Sequence, residues 1–254
     1  MEDREMQHVN RDPLAALRID TSGRAGSIAE QVFHALRSSI VTMQLTPATA
    51  LSEQEIAGRL NVSRQPVREA FIKLSEIGMV RVLPQRGTFV VKISAKAVRD
   101  ARFVREAVEC AIARRASEGI SEAAMDGLRG ILTEQRKAAR DPETFFVLDE
   151  AFHRGLANAA ECAYAWKVIE EAKAQMDRVR FLSLPDATPV AHLITQHQAI
   201  LDAIAAGRAA AAEQAMKDHL REILKSLPRL ARAFPEMFEH EETPAPVKAK
   251  KAAR

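Results

Sequence analysis

Cysteine, glycine and aromatic residues are all scarce in this chain. Only Cys110 and Cys162 occur in 254 residues, too few for a disulfide framework, so nothing points to an oxidising compartment. Aromatics make up 5%, while Ala, Leu, Glu, Arg and Lys are plentiful, a balance that favours helix over sheet. No apolar run approaches the ~20 residues needed to span a bilayer. The opening MEDREMQHVNRDP mixes both signs of charge around no apolar core, unlike a secretory signal. A cytoplasmic protein with no membrane partner is the expectation. With 47% apolar and 28% charged residues, a wholly disordered or collagen-like chain is excluded, and the length suits more than one domain but fewer than three.

Charge of one sign is also lacking, for the net is only +3. Its distribution says more. Between Arg59 and Lys92 seven basic residues face two acidic ones, so this window alone carries +5. A compact basic patch suits a polyanion, although a solvated charged face has the same composition.

Local patterns divide the chain into four parts. Residues 1–26 lack a clear period and are expected to be a flexible arm. From Ser27, a capping residue, Ile28, Val32, Leu36 and Ile40 form a helical stripe that continues to about Leu45 before Thr46-Pro47. Ser52 and Glu55 have capping-box spacing and open a short helix with Ile56 and Leu60 inward. Asn61-Val62 makes a tight turn, Ser63 caps the next helix, Pro66 falls in its first turn, and Gly78 stops it. MVRVL and TFVVKI, separated by Pro84 to Gly87, predict a two-stranded hairpin.

After Ser94 the pattern is helical throughout. Helices are expected over about 95–118, 122–140, 142–160, 164–182, 190–206 and 209–227, with a short seventh segment beyond Pro228. The fold class is therefore mainly α. A winged helix-turn-helix domain with a small β-hairpin wing spans 27–93, and an all-α antiparallel bundle spans 94–240. The Pro-, Ala- and Lys-rich stretch 241–254 is expected to be a disordered basic tail.

Two short helices joined by a tight turn, the second with a basic N-terminal face, make the helix-turn-helix pattern. A helix fits the major groove with its N-terminal residues at the base edges, and its positive dipole end favours phosphate. Ser63, Arg64, Gln65 and Arg68 occupy that first turn and a half. Arg pairs bidentately with guanine and Gln with adenine. Arg86 and Gly87 at the hairpin tip can reach a neighbouring phosphate or the minor groove. The competing reading is a plain helical hairpin with exposed arginines.

In the helical half, Asp149 and His153 are one turn apart on one helix and share a face. His197 and His219 lie on two further helices. One carboxylate and three imidazoles drawn from three helices would suit Zn²⁺ first, with Ni²⁺ or Mn²⁺ also compatible. The bland alternative is a surface pair of little energetic worth. Phe145, Phe146, Leu148 and Phe152 flank the pair, however, which puts it on or beside a packing face. Cys110 and Cys162 are expected in the core.

The stretch LSEQEIAGRLNVSRQPVREAFIKLSEIGMVRVLPQRGTFV resembles the winged-helix domain of the GntR family of bacterial transcription regulators, with NVSRQPVREAF similar to that family's hallmark. The resemblance implies base and phosphate contacts at Arg64 and Arg68, Gln65 beside them, and Gly87 at the wing tip. Gln54 stands where some members carry a guanine-reading arginine, and Ala48-Thr49 replaces the usual glycine after Pro47. LDEAFHRGLANAA and QHQAILDAIAAGRAAAAEQAMKDHL resemble the ligand-binding half of the FadR subfamily. In its metal-binding members one Asp and three His hold a divalent ion, and these positions fall on Asp149, His153, His197 and His219. His192 is a further candidate ligand. The Arg-x-x-x-Glu pair Arg105/Glu109 matches a position beside the effector pocket, so Arg105 is assigned to an effector carboxylate, with Arg178 and Arg180 as alternatives.

Together these observations predict a non-enzymatic, homodimeric transcription regulator, in the repressor mode. It would bind double-stranded operator DNA and respond to a small carboxylate held at a divalent ion. A metal-dependent enzyme built in the bundle and a regulator for which the ion itself is the signal are the alternatives. Against the enzyme, the sequence offers no phosphate loop and no nucleophile motif.

Overall fold

A computed structural model of the chain describes residues 14–15, 17–19, 26–184 and 187–239. Helix α1 (Ile28–Val41) opens on a complete capping box, in which the Ser27 hydroxyl accepts from the Glu30 amide and the Glu30 carboxylate accepts from the Ser27 amide. It ends a turn earlier than its apolar period suggests, at Thr42. Helix α2 (Glu53–Leu60) is capped by Ser52, which accepts from the Glu55 amide at 3.3 Å. Asn61 then takes the left-handed conformation at φ 53°, which a short polar side chain tolerates, and the chain turns into α3 (Arg64–Glu76). Ser63 holds the N-cap position, but its side chain makes no capping bond.

The wing is a three-stranded antiparallel sheet, not a two-stranded hairpin. β2 (Val80–Leu83) and β3 (Gly87–Val90) pair as expected, and β1 (Ala50–Leu51) adds to the outer side of β3. Two residues carry no readable period, so this strand is set by its partner and not by its own pattern. Val32, Leu36, Ile40, Ile56, Val67, Phe71 and Leu74 form the core of this domain. Leu14 and Leu17 are buried in the same cluster. The expectation of a flexible arm as far as residue 26 therefore fails at these two positions, where apolar side chains three apart gain by burial. The rest of that arm, apart from Ala15, Arg18, Ile19 and Gly26, lies outside the described residues, as does the expected tail at 241–254.

The second domain comprises α4 (Ala95–Ala116), α5 (Glu122–Lys137), α6 (Pro142–Ala159), α7 (Ala163–Ala172), α8 (Ala174–Ser183), α9 (Val190–Ala205), α10 (Ala209–Leu220) and α11 (Ile223–Ala233). Serines 94 and 121 and Asp141 cap α4, α5 and α6 through their side chains. Two expected helices are broken. The single helix over 164–182 divides at Lys173, and the one over 209–227 ends at Leu220, with Pro228 inside the following α11. The main bundle core runs through Ile112, Leu128, Leu132, Phe152, Leu156, Trp166, Ile200 and Met216. Near the chain's end Ile93, in the segment joining the two domains, exchanges backbone hydrogen bonds with Met237 and Glu239. Among the described residues no helix is long and apolar enough to cross a membrane.

Candidate functional site

The first centre is the exposed face around α2 and α3. Gln54, Ser63, Arg64, Gln65 and Arg68 are all exposed there, and Arg86 and Gly87 are exposed at the turn between β2 and β3. Gly87 has φ 106°, a conformation that strains any residue with a Cβ, so glycine is required at the wing tip. Arg64 and Arg68 do not pack inward. Both reach back to one carboxylate on α2: Arg64 Nη2 donates to Glu53 Oε2 at 2.9 Å, and Arg68 donates to Glu53 through Nε at 3.2 Å and Nη2 at 3.1 Å. Arg68, with Arg64, holds the Glu53 carboxyl below its ordinary range. Gln65 donates to Glu69 Oε1, one turn along α3, at 3.0 Å. Sequence reasoning missed Glu53. Its spacing from the arginines, 11 and 15 residues, spans the turn between α2 and α3, so only the fold brings them together.

The second centre lies inside the bundle. α6 carries Asp149 and His153 one turn apart, α9 carries His197 and α10 carries His219, and all four side chains are buried. One ligand atom from each falls within 4.8 Å of all the others. His153 Nε2 is 3.1 Å from His219 Nε2, His197 Nε2 is 3.3 Å from His219 Nε2, and Asp149 Oδ1 is 3.4 Å from His197 Nε2. Phe152 stacks on His197 with ring centroids 4.3 Å apart.

A second layer fixes two of the three imidazole tautomers. Gln135 donates through its amide nitrogen to the Leu148 carbonyl, which turns its oxygen toward His197 Nδ1 at 2.9 Å. The Gln196 amide nitrogen faces His192 and Glu222, which turns its oxygen toward His219 Nδ1 at 3.1 Å. Glu109 Oε2 lies 2.6 Å from His153 Nδ1. His197 Nδ1 and His219 Nδ1 each face an amide oxygen and carry the proton, so their Nε2 atoms present bare lone pairs to the centre. His153 Nδ1 and Glu109 Oε2, by contrast, lie close without hydrogen-bond geometry. Burial, followed by the neighbouring His153 for His197 and by His197 for His219, pushes the basicity of these two imidazoles well below the ordinary range. The His197 and His219 lone pairs, facing one another at 3.3 Å, repel unless a cation lies between them. The donor set therefore fits a divalent ion of the Zn²⁺ class, and the surrounding acceptors match the outer layer that metal-binding histidines use.

The remaining expected residues divide between this cage and other places. His192 is half exposed and paired with Glu222, so it lies outside the cage. Arg105 and Glu109 form a buried ion pair at 2.5 Å, not an exposed one. Burial works against the Arg105 charge, but Glu109 outweighs it and raises Arg105 above its usual value. One guanidinium nitrogen, Arg105 Nη2, is buried without a partner. Arg105 also lines a cavity of about 40 Å³ beside the cage, together with Phe145, Asp149, Arg180, Leu193 and His219. Arg180 donates there to Asp149 Oδ2. Arg178 points elsewhere, donating to the Val91 carbonyl at 2.9 Å. Cys110 is buried and Cys162 half-buried, as core residues.

Comparison with known proteins gives both halves a counterpart. Residues 28–90 match the family model described as bacterial regulatory proteins, gntR family, and residues 100–222 match the FCD domain. The chain is 43% identical over 216 residues to the HTH-type transcriptional repressor RspR of Escherichia coli K12, covering 84% of this chain and 95% of that one. It is 28% identical over 196 residues to a probable D-xylose utilization operon transcriptional repressor of Paenarthrobacter nicotinovorans, covering 76% of this chain and 86% of that one. Among solved structures, E. coli McbR/YncC superposes with a TM-score of 0.72 at 18% identity, covering 81% of this chain and 99% of that one, a likeness of fold. A GntR-type regulator of Rhodococcus sp. RHA1 superposes at 0.65 with 27% identity, covering 78% and 98%. With a winged helix-turn-helix in front and an FCD domain behind, the chain belongs to the GntR family and is a DNA-binding transcription regulator.

Proposed function

We propose that the chain is a homodimeric repressor that reads its operator through the N-terminal turn of α3, under the control of a divalent ion and a small carboxylate in the FCD domain. Arg64, Gln65 and Arg68 reach base edges in the major groove, with Ser63 and Gln54 beside them, and Arg86 and Gly87 contact the adjoining backbone. Exposed guanidiniums on the first turn of a helix, held in position by Glu53, support this assignment. A homodimer suits an operator with two half-sites.

Asp149, His153, His197 and His219 hold the ion, which when bound anchors a carboxylate oxygen as a Lewis acid. The observation that carries this is the convergence of four buried ligand atoms within 4.8 Å of one another, with Gln135 and Gln196 turning the Nε2 lone pairs of His197 and His219 inward. Zn²⁺ suits this set best, with Ni²⁺ or Mn²⁺ as the other candidates. The unpartnered Arg105 Nη2, buried on the cavity wall, is the group that receives the second oxygen of the acid.

The size of the cavity favours a second reading. It is narrow, about 40 Å³, and holds only a few water-sized groups. A regulator that senses the ion itself needs no more room than this. Dialysis separates the two readings, because a resident anchoring ion is retained whereas a signalling ion exchanges at micromolar concentration. DNA reading is tested by mobility shift at fixed salt with a duplex recovered by in vitro selection. The double variant Arg64→Ala, Arg68→Ala loses sequence-specific binding if the assignment is right, and keeps it if the assignment is wrong.

A further inference from the structure

We infer that Arg37, on α1 of the winged-helix domain, is a positioning residue that couples the FCD cage to the DNA-reading domain through α8. The proposal rests on the cage being a metal site. It adds a route and a named residue to that reading.

Helix α8 has one side in each domain. Met176, Arg180 and Ser183 line the cavity beside the cage. Ala174, one residue into the helix, is buried in the winged-helix core. Gln175 donates to the Gly78 carbonyl at the end of α3, and Arg178 donates to the Val91 carbonyl just past β3. Asp177 stands between the two sides, fully buried, and binds three cations. Arg37 Nη2 meets Oδ2 at 2.7 Å, Lys173 Nζ meets the same oxygen at 2.7 Å, and Arg180 Nη1 meets Oδ1 at 2.9 Å.

Arg180 closes the path to the cage. Its Nη2 is on Asp149, and its Nη1 also lies 3.6 Å from Glu150. Lys173 reaches Glu150 too, at 2.8 Å. Arg37, Lys173 and Arg180 thus balance Asp149, Glu150 and Asp177 in one contiguous network that runs from a cage ligand to α1. Nearly every member is shared by two partners, so a change at one end redistributes charge at the other.

The direction follows from Coulomb's law. When the Asp149 carboxylate is drawn to a cation, its negative charge is no longer available to Arg180 in full. Arg180 then leans on Glu150 and Asp177, and the Asp177 carboxylate it takes up is lost to Arg37. The contact between α1 and α8 loosens. Since α1 packs on α3 within one core, the seating of the recognition helix depends on cage occupancy. Only such a difference in interaction between the two states can shift operator affinity.

The test uses the full chain, Zn²⁺ as the probe and a duplex selected in vitro with chelator-treated protein. For the wild type, Zn²⁺ changes duplex affinity by about tenfold or more, within the usual ~5–150-fold range, and by linkage the duplex changes Zn²⁺ affinity by the same factor. Arg37→Gln leaves Asp177 paired with Lys173 and Arg180, so it strands no buried charge. It is expected to bind Zn²⁺ without DNA at least as tightly as the wild type, because Arg180 gains a larger share of Asp177 and releases Asp149, while both reciprocal effects fall below about threefold. A merely structural residue would not separate these readouts. Hydrogen exchange on the wild type gives a second measure, since Zn²⁺ should speed exchange of the amides from Arg37 to Val41. Full coupling in Arg37→Gln, or unchanged exchange in that turn, overturns the proposal. Zn²⁺ binding with no effect on wild-type DNA affinity overturns the coupling route and leaves the cage reading standing. Absence of saturable Zn²⁺ binding overturns both.

Discussion

Replacing Gln135 by Met removes one oxygen from the second layer of the cage while keeping an unbranched side chain of similar length. Gln135 is fully buried, its oxygen accepts from His197 Nδ1 at 2.9 Å, and its nitrogen donates to the Leu148 carbonyl. Met can serve neither partner. A buried donor left unsatisfied costs ~1–3 kcal/mol, so the metal-free protein should lose about 2 kcal/mol of stability. The same change frees the His197 ring to rotate or to move its proton to Nε2, where it would oppose a metal ion. Loss of an outer partner typically lowers metal affinity ~10–100-fold, equivalent to about 1.4–2.7 kcal/mol. Competition against a chromophoric chelator measures the affinity, and urea unfolding of the chelator-treated protein measures the stability. A variant that is destabilised as expected but binds Zn²⁺ within about threefold of wild type would refute the tautomer reasoning, because the loss would then be packing alone.

Three further outcomes follow from other contacts. Glu53→Gln frees Arg64 and Arg68 from their shared carboxylate. Two exposed, solvent-screened pairs predict non-specific duplex affinity about fivefold higher at fixed salt, and a mobility shift showing weaker binding would contradict this. Burial, above all, with Glu106 and Glu213 nearby, raises the Cys110 thiol to about 11. At pH 8 its thiolate is then about one part in a thousand, so mass spectrometry after brief alkylation should find Cys162 modified and Cys110 untouched until urea is added. Ser27→Ala removes the hydroxyl half of the α1 capping box, leaving the Glu30 carboxylate on the residue-27 amide, and should cost ~1 kcal/mol of stability in the winged-helix domain, read by urea unfolding.

Much of this fold is local and therefore legible. Ser27, Ser52, Ser94, Ser121 and Asp141 each cap a helix where a short polar side chain precedes an apolar period. Asn61 and Gly78 mark helix ends through their left-handed backbone. The cage ligands could be placed because Asp149 and His153 share a helix face and the resemblance supplied His197 and His219. Features made by tertiary contact were not legible. The break at Lys173 falls in KVIEEAKAQMD, which has neither glycine nor proline. The buried Lys173 ammonium, bound to Glu150 and Asp177, lies at that junction. Gln135 and Gln196 look like ordinary helix glutamines, and only the arrangement of α5 and α9 reveals their oxygens as acceptors for imidazole. Leu14 and Leu17 carried a weak signal, two apolar residues three apart in a segment otherwise without a period. Arg105 and Glu109 have the spacing of a surface pair, and only the packing around α4 shows that they are buried behind the cage.

The most direct test of the account is a calorimetric titration of Zn²⁺ into chelator-treated full-length protein, beside the double variant His197→Ala, His219→Ala. The wild type should take up one ion per chain with saturable binding, and the variant, still folded and still binding duplex DNA, should take up none. Equal uptake by both proteins, or none by the wild type, would contradict a cage built from Asp149, His153, His197 and His219.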